Sequence, residues 1–263
     1  STCNKIPSQK REQILEGERY NIADLEKGVC YTVMAKITQD ASICDKIKTQ
    51  FNKNECYKEL GIIKDDVLLC NKIKGETGQA RIGRGHCYAH VAGVKQDISL
   101  CEEVEDPLVK YECYTSVAES KQDISICEKI SYQREFTGFG EEQDKLTVLS
   151  QKNWCYTKVA ESTKDISVCE NIKIQKDKDV CYNNMAVVKR DIAICEMIQD
   201  QAKKERCIGV IPNPDITFCD KLQDQYTKDK CYAELDATKK EINICDKIKD
   251  QSYKDNCYID IAA

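Results

Sequence analysis

The sequence contains few phenylalanine and tryptophan side chains, with 4 Phe and 1 Trp in 263 residues. Large aromatic rings dominate the energetics of most protein cores, so this fold needs another source of stability. No run of 18 apolar residues is present, which excludes an evident membrane-spanning helix. The first residues, STCNKIPSQKR, lack the apolar core of a signal peptide. We therefore expect a mature region from which a leader has been removed.

Sequence signatures of catalysis are also missing. The chain has no H-E-x-x-H, no G-x-S-x-G, no P-loop and no C-x-x-C-H motif. We therefore expect a protein that is not an enzyme and that needs no cofactor. The 40 basic residues are interleaved with 45 acidic ones, for a net charge of -5. No contiguous basic face is available for a phosphate backbone, so nucleic acid is not an expected partner.

Cysteine is abundant, with 18 residues in the chain. A reduced cytosol keeps thiols free, whereas an even and large number of cysteines favours complete pairing in an oxidising compartment. We expect an extracellular, periplasmic or cell-surface location. The cysteines are Cys3, Cys30, Cys44, Cys56, Cys70, Cys87, Cys101, Cys113, Cys127, Cys155, Cys169, Cys181, Cys195, Cys207, Cys219, Cys231, Cys245 and Cys257.

The cysteine spacing defines an internal repeat. Two spacings alternate along the chain: one is fourteen in every case but one, and the other is twelve in six of nine cases. A basic unit of about 26 residues therefore occurs nine times. We predict one repeat domain over residues 1–263, with repeats at about 1–37, 38–63, 64–94, 95–120, 121–162, 163–188, 189–212, 213–238 and 239–263.

Each repeat has the pattern of a helical hairpin. In the fourth copy, Ile98, Cys101 and Val104 share one helical face, and Asp97 stands at the N-cap position. A second helix follows a short turn, with Cys113 facing inward. We predict a first helix of about nine residues, a second of about twelve to fourteen, and an all-α solenoid of nine hairpins. Equivalent caps are predicted at Asp40, Asp66, Asp123, Asp165, Asp191, Asp215 and Glu241.

The hairpin geometry allows two disulfide patterns, because both alternating gaps are symmetric about a turn. Pairing within hairpins uses all 18 cysteines, whereas pairing between hairpins leaves Cys3 and Cys257 alone. Only the within-hairpin loops also vary greatly in length. These two arguments favour one bridge inside each repeat. A bridge closing about a dozen residues stabilises by about 3 kcal/mol in the chain-entropy model, which offsets the weakness of such short helices.

This plan resembles the tetratricopeptide-type helical-hairpin solenoids, especially their secreted, cysteine-stapled relatives. It is also similar to uncharacterised cysteine-rich repeat proteins. The resemblance covers the whole chain in architecture, but the repeat is shorter, at about 26 residues instead of the mid-thirties. The tryptophan, glycine and proline positions of the tetratricopeptide family are absent, and no catalytic residue can be transferred.

Three insertions interrupt the repeat between the first and second helices of a hairpin. Such insertions emerge at one edge of a solenoid and often form its binding surface. The first, Pro7 to Val29, predicts an extra helix from about Glu12 to Arg19 that caps the first hairpin. A binding role is the alternative for this segment.

The second insertion, GETGQARIGRGH, has four glycines and the arginines Arg81 and Arg84. A solvated loop is the simplest interpretation, and an anion site is the alternative. His86 and His90, the only histidines, follow at a spacing that places both on one helical face. They predict two ligands of a zinc or copper ion, although the sequence identifies no third.

The third insertion, Ser131 to Trp154, concentrates aromatic residues. On a protruding loop such side chains anchor protein interfaces, but they also pack a long loop onto its own protein. The candidate binding residues are Tyr132, Phe136, Phe139 and Trp154.

Two further patterns concern packing. Tyrosine follows the second cysteine in eight of nine repeats, and Ile208 is the exception. We expect these rings to pack over the hairpin junction, and a ligand groove is the alternative. Pro212 and Pro214 predict an early helix end and a bend. A column of thiolate metal sites is a further alternative, although closely spaced cysteine pairs are absent.

The predicted function is a non-catalytic extracellular or cell-surface scaffold that binds a protein or other macromolecule through its insertions. The first alternative is a structural subunit of an extracellular filament or surface layer, in which copies contact one another. The second is a metal-binding protein that uses His86 and His90 or the thiols.

Overall fold

The computed structural model describes residues 3, 12–15, 18–132, 141–211, 216–222, 224–239 and 242–262. By packing, the chain divides into two compact units, Ser1–Lys152 and Asn153–Ala263, which we call unit 1 and unit 2. The single repeat domain stays a prediction. In the described part of the chain, no helix is both long enough and apolar enough to cross a membrane.

The described residues contain nine long helices, one for each predicted repeat, and hairpin n is named here after its long helix αn. They are α1 (Ile22–Thr38), α2 (Gln50–Lys64), α3 (Gly78–Lys95), α4 (Pro107–Lys121), α5 (Glu141–Thr163), α6 (Gln175–Lys189), α7 (Gln201–Val210), α8 (Gln225–Lys239) and α9 (Gln251–Ala262). The all-α repeat fold is thereby confirmed. The early end of α7 at Val210 agrees with the prolines that follow, while the predicted bend at Pro212 and Pro214 lies outside the described residues.

A short helix precedes each of the long helices α2 to α9. These short helices are Ala41–Lys46, Val67–Cys70, Ser99–Glu102, Ile124–Lys129, Ile166–Asn171, Ile192–Met197, Ile216–Lys221 and Ile242–Cys245. The predicted nine-residue first helix was wrong, because these segments have four to six residues and several are 3-10 helices. After Cys44, for example, the N-H of Ile47 bonds to the Cys44 carbonyl and the chain becomes extended. The tighter turn lets the chain leave directly toward the next long helix.

Aspartate caps start the short helices as predicted. The Asp40 carboxylate accepts the Ser42 N-H at 2.9 Å, and the Asp97 carboxylate accepts the Ser99 N-H at 3.0 Å. Hydrogen bonds from these serines lower the pKa of both carboxyls. The caps are confirmed at Asp66, Asp123, Asp165 and Asp191 as well, whereas Asp215 and Glu241 lie outside the described residues.

Long helices end one residue before these caps, in a left-handed conformation. Gln39, Asp65, Gln96, Gln122, Lys164 and Arg190 all have φ between 49° and 56°. After α2, the Asp65 N-H bonds to the Ile62 carbonyl and the Asp66 N-H to the Gly61 carbonyl. This pattern satisfies the last carbonyls of the helix and reverses the chain in two residues.

A disulfide lies at the centre of each of the eight hairpins whose bridge is described, and the within-hairpin pattern is confirmed for them. In hairpin 5, Cys127 and Cys155 are also disulfide-bonded. The bridges with described geometry are Cys3–Cys30, Cys44–Cys56, Cys70–Cys87, Cys101–Cys113, Cys169–Cys181, Cys195–Cys207, Cys219–Cys231 and Cys245–Cys257. In hairpins 2 to 9, a buried aliphatic side chain such as Ile47 or Ile198 stands three residues after the first cysteine and completes the small core.

The first insertion forms a β-hairpin, so the predicted helix over Glu12 to Arg19 was wrong. β1 (Glu12–Leu15) and β2 (Glu18–Asn21) pair antiparallel, with Leu15 opposite Glu18. Only two residues, Glu-Gly in sequence, separate the strands. A glycine in a connection of this length favours a hairpin and disfavours a helix interior.

The other two insertions lengthen long helices at their N-terminal ends. The predicted glycine-rich loop was wrong from Gly78 onward, because α3 begins there and Thr77 caps it by accepting the Ala80 N-H. Gly85 is needed for packing, since a Cβ there would lie 2.9 Å from Val109 Cγ1 on α4. The third insertion contributes the first turns of α5 from Glu141.

In hairpins 2, 4, 6 and 8, the side chain two residues before the second cysteine bonds to the backbone of the following hairpin. In unit 2, the buried Asp179 carboxylate accepts the backbone N-H groups of Gln199 and Asp200 at 3.1 and 3.2 Å. Asp229 accepts those of Lys249 and Asp250 at 3.0 and 2.7 Å. Each carboxylate therefore satisfies two backbone donors of the following hairpin, which fixes the spacing of neighbouring repeats.

In hairpins 2 and 4 of unit 1, neutral side chains take the same position. Asn54 exchanges two hydrogen bonds with the Lys74 backbone, at 2.7 and 3.0 Å. The Tyr111 hydroxyl donates to the Ser131 carbonyl at 2.9 Å. In these hairpins, the contact with the backbone of the following hairpin is therefore kept, although a different residue makes it.

Candidate interaction surface

The tyrosine after each second cysteine packs over its own hairpin. The Tyr114 hydroxyl donates to Glu102 at 2.8 Å, and the Tyr232 hydroxyl donates to Asp220 at 2.5 Å. In each case the acceptor follows the first cysteine of the same hairpin. Tyr57, Tyr88, Tyr182 and Tyr258 likewise donate to Asp45, Asn71, Glu170 and Asp246.

These contacts determine the ionisation of both partners. Burial raises the pKa of Tyr57, Tyr114, Tyr182 and Tyr232, with a further rise from the accepting carboxylate. The donated hydrogen bond lowers the pKa of Glu102 and Glu170. The phenols therefore stay neutral donors near pH 7, and the expected packing role of the ladder is confirmed.

Hairpin 7 lacks this contact because Ile208 replaces the tyrosine. Ile208 is fully buried, and Glu196 is the acid that follows the first cysteine. Among the described residues, Glu196 Oε1 is buried without a hydrogen-bond partner. Its other oxygen lies 3.5 Å from Lys204 Nζ.

We expect Ile208→Tyr to be more stable than Ile208→Phe by about 1 kcal/mol in free energy of unfolding, because only the tyrosine can donate to Glu196. Both rings fill similar volume, so the phenylalanine variant controls for overpacking of the site. Urea unfolding with the disulfides intact measures the difference. Equal stability of the two variants would contradict the expected hydrogen bond.

The predicted metal ligands lie on α3 and face different carboxylates. His86 Nδ1 is 3.2 Å from Glu112 Oε2 on α4, and His90 Nε2 is 3.2 Å from Asp65 Oδ1 after α2. Within the described ranges, no group of three or more His, Cys, Asp or Glu side chains could hold a metal ion. The two-ligand site stays a prediction.

The two predicted anion-binding arginines have separate environments. The Arg84 side chain is largely buried, where it donates to Glu105 at 2.5 Å and to the Ile73 carbonyl at 3.2 Å. It joins neighbouring hairpins, and two of its five N-H donors bond to these partners. Arg81 is exposed beside a small cavity of about 150 Å³ whose lining includes the acids Glu105 and Asp106. These acids make the cavity unfavourable for an anion.

The predicted aromatic anchors are partly described. Tyr132 is half-buried in unit 1, with Lys145 Nζ 5.4 Å from its ring centre. Trp154 in unit 2 is 44% exposed, with Lys158 Nζ 4.6 Å from its ring centre. In both cation-π contacts the lysine belongs to α5. Phe136 and Phe139 lie outside the described residues.

A larger concave surface lies in unit 1, between the outer faces of α1 and α2. This open α1–α2 groove has a volume of about 590 Å³. Val29, Val33 and Phe51 supply its apolar lining, and Gln79 of α3 borders it. Along α1, Val29, Val33 and Ile37 are 59%, 50% and 77% exposed. One helical face therefore presents a row of three large aliphatic side chains to solvent.

Charged residues of the groove are paired with one another. Lys36 Nζ lies 2.7 Å from Glu59 Oε2, and Lys58 Nζ lies 2.6 Å from Glu55 Oε2. Asn52 is buried and donates to the Leu25 carbonyl at 2.8 Å, which holds α1 and α2 together. The rim is therefore electrically neutral around an apolar centre.

The groove was not predicted from the sequence. A usable signal was present, because Tyr31 belongs to the tyrosine ladder and is expected to pack inward, and helical periodicity places Val29, Val33 and Ile37 on the side opposite it. Apolar residues at spacing i, i+4 and i+8 are usually assigned to a core. Here the buried Tyr31 and Ala35 show that the core is on another face.

Comparison of the chain with protein-family models, curated proteins and solved structures gave no match. The completely disulfide-bonded cysteines indicate an oxidising, extracellular-type environment.

Proposed function

We propose that this protein is a non-catalytic extracellular or cell-surface scaffold that binds another protein. The observation that carries the proposal is the α1–α2 groove, with exposed Val29, Val33 and Ile37 beside it. Exposed apolar patches on otherwise polar proteins are typical of interaction sites. Charged residues make up 32% of the whole chain, so an ordered row of aliphatic side chains stands against a polar composition.

The groove favours an apolar peptide segment of a partner. Its apolar residues can accept aliphatic or aromatic side chains, while the paired charges at the rim require no net charge from the partner. The disulfide-bonded hairpins hold the groove in place before binding. A surface that is already ordered loses little conformational entropy on association, which favours a scaffold role.

The insertion edge is a second contact surface within the same proposal. Trp154 is exposed and held by Lys158, as an interface anchor would be. Its involvement, and that of Tyr132, Phe136 and Phe139, stays a prediction. Binding through the groove alone does not depend on it.

The groove is tested by placing a charge in its apolar part. We expect Val33→Asp to weaken partner binding by at least about tenfold, because binding would bury the carboxylate without a counter-charge. The measurement is capture of secreted proteins on the immobilised full chain, followed by titration of the captured partner. Val188→Asp, at another exposed valine on α6, is the matched control.

Three results together support the proposal: capture by the wild type, retained capture by Val188→Asp and loss by Val33→Asp. Position 33 is exposed, so thermal unfolding of both variants should match the wild type. Equal capture by Val33→Asp would show that the groove does not bind, and turnover of a captured molecule would contradict the non-catalytic role.

A further inference from the structure

The exposed Tyr226 and the half-buried Tyr253 meet on the surface of unit 2, and they are not part of the tyrosine ladder. Tyr226 lies in the first turn of α8, and Tyr253 lies in the first turn of α9, one repeat later. Their ring centres are 5.8 Å apart in an edge-to-face arrangement, and their hydroxyl oxygens are 3.0 Å apart. Tyr226 is 40% exposed. A one-electron oxidant in solution can therefore reach a pair of phenols already in contact.

A carboxylate completes the cluster. The Tyr253 hydroxyl donates to the Tyr226 oxygen, and the Tyr226 hydroxyl donates to Glu205 Oε2 at 3.3 Å on α7. The contact with Tyr253 is the main reason that the pKa of Tyr226 is raised to about 12. Tyr226 is therefore a protonated phenol at neutral pH. Removal of an electron requires the loss of this proton, and Glu205 is positioned to accept it.

We propose that Tyr226 and Tyr253 are a modification site, where oxidation joins the two rings in an intramolecular dityrosine. The co-reactant is hydrogen peroxide used by a haem peroxidase. Each phenol loses one electron and its hydroxyl proton, that of Tyr226 to Glu205. The two phenoxyl radicals form a carbon-carbon bond between ring positions next to the oxygens.

The displaced ring hydrogens then return to the oxygens and restore both phenols. One peroxide accepts the two electrons and the two protons and becomes two waters. The protein therefore loses two hydrogen atoms in total, and no other group is added or removed.

The cross-link would join two hairpins that no described disulfide connects. Cys195–Cys207, Cys219–Cys231 and Cys245–Cys257 each close a single hairpin. Between hairpins 8 and 9, the described contacts are noncovalent, such as those of Asp229 with the next backbone. A Tyr226–Tyr253 bond would tie the two hairpins covalently. An oxidising environment that maintains disulfides is also compatible with this chemistry.

The test treats the dilute full-length protein with a haem peroxidase and limiting hydrogen peroxide. We expect a monomer lighter by two hydrogens, with dityrosine fluorescence and a cross-linked peptide that contains Tyr226 and Tyr253. Tyr226→Phe and Tyr253→Phe should both abolish this peptide. Tyr258→Phe, which removes a hydroxyl bonded to Asp246 on the same helix as Tyr253, should leave it unchanged.

Glu205→Gln tests the proton acceptor. This substitution should slow the initial rate of dityrosine formation by about tenfold. It should not change which residues are joined, since the rings remain in contact. Circular dichroism of each variant confirms that the hairpins are intact. Dityrosine that persists in Tyr226→Phe, or cross-links formed only between separate molecules, would overturn the proposal.

Discussion

Complete reduction of the disulfides is expected to remove most of the helical circular dichroism signal of this protein at room temperature. The short helices have only four to six residues, and α7 has ten. Isolated helices below about 12–15 residues are marginal in water, so these segments depend on tertiary constraints. A bridge that closes a separation of 12 residues, as in Cys101–Cys113, contributes about 3 kcal/mol in the chain-entropy model.

The expected loss of helical signal is large because the combined contribution of the bridges exceeds the free energy of unfolding of an ordinary domain. All 18 cysteines are disulfide-bonded. Domains are stable by about 5–15 kcal/mol in total, so the loss of several contributions of this size exceeds the stability of a typical domain. Unfolding should therefore accompany reduction without added denaturant.

The measurement compares far-UV circular dichroism and intact mass during reduction, with alkylation after each time point. A parallel sample without reductant gives the reference signal. In that sample, iodoacetamide in denaturant should add no alkyl groups. A fully alkylated protein that keeps its helical signal would show that packing alone maintains the hairpins.

Asp179→Ala is expected to destabilise unit 2 by about 3 kcal/mol, because two backbone N-H groups would lose their acceptor in a buried place. The Asp179 carboxylate is 2% exposed and accepts the N-H groups of Gln199 and Asp200. It also accepts from Gln175 Nε2 at 2.7 Å. Asp179→Asn should have an intermediate effect, since the amide oxygen can still accept while its NH2 group faces donors.

Asp255→Ala is a matched control for this prediction. Asp255 has the same position in hairpin 9 and accepts from Gln251 Nε2 at 2.6 Å, but it is exposed. Its removal should change the free energy of unfolding by less than about 0.5 kcal/mol. Chemical unfolding with intact disulfides compares the variants, and equal losses at the two positions would contradict the role of the buried carboxylate.

The repeat pattern predicted much of the fold because its determinants are local. Asp40 and Asp97 bond to N-H groups two residues away, so their role as caps was visible in sequence. The predicted lengths of the short helices were wrong, because a disulfide to the following long helix limits them. Cys44 must face Cys56 across the turn, and the chain leaves its helix soon after the cysteine.

The insertions were harder to predict because their neighbours decide their conformation. Gly85 suggested a flexible loop, but it is a helical residue whose missing side chain makes room for Val109. Arg84 suggested an anion site, yet its guanidinium bonds to Glu105 and to the Ile73 carbonyl. Neither partner can be identified from the insertion sequence alone.

By itself, the sequence determined the all-α class, the number of repeats, the caps and the preferred pairing of the cysteines. These features depend on periodicity and on contacts within about two dozen residues. The tertiary structure was needed to show which glycines pack, which arginine is already bonded, and that Val29 and Val33 line a groove while Ile37 faces solvent, instead of all three packing in a core. It also brought Tyr226 to Tyr253, because contacts between hairpins depend on how neighbouring helices pack and not on the pattern within one repeat.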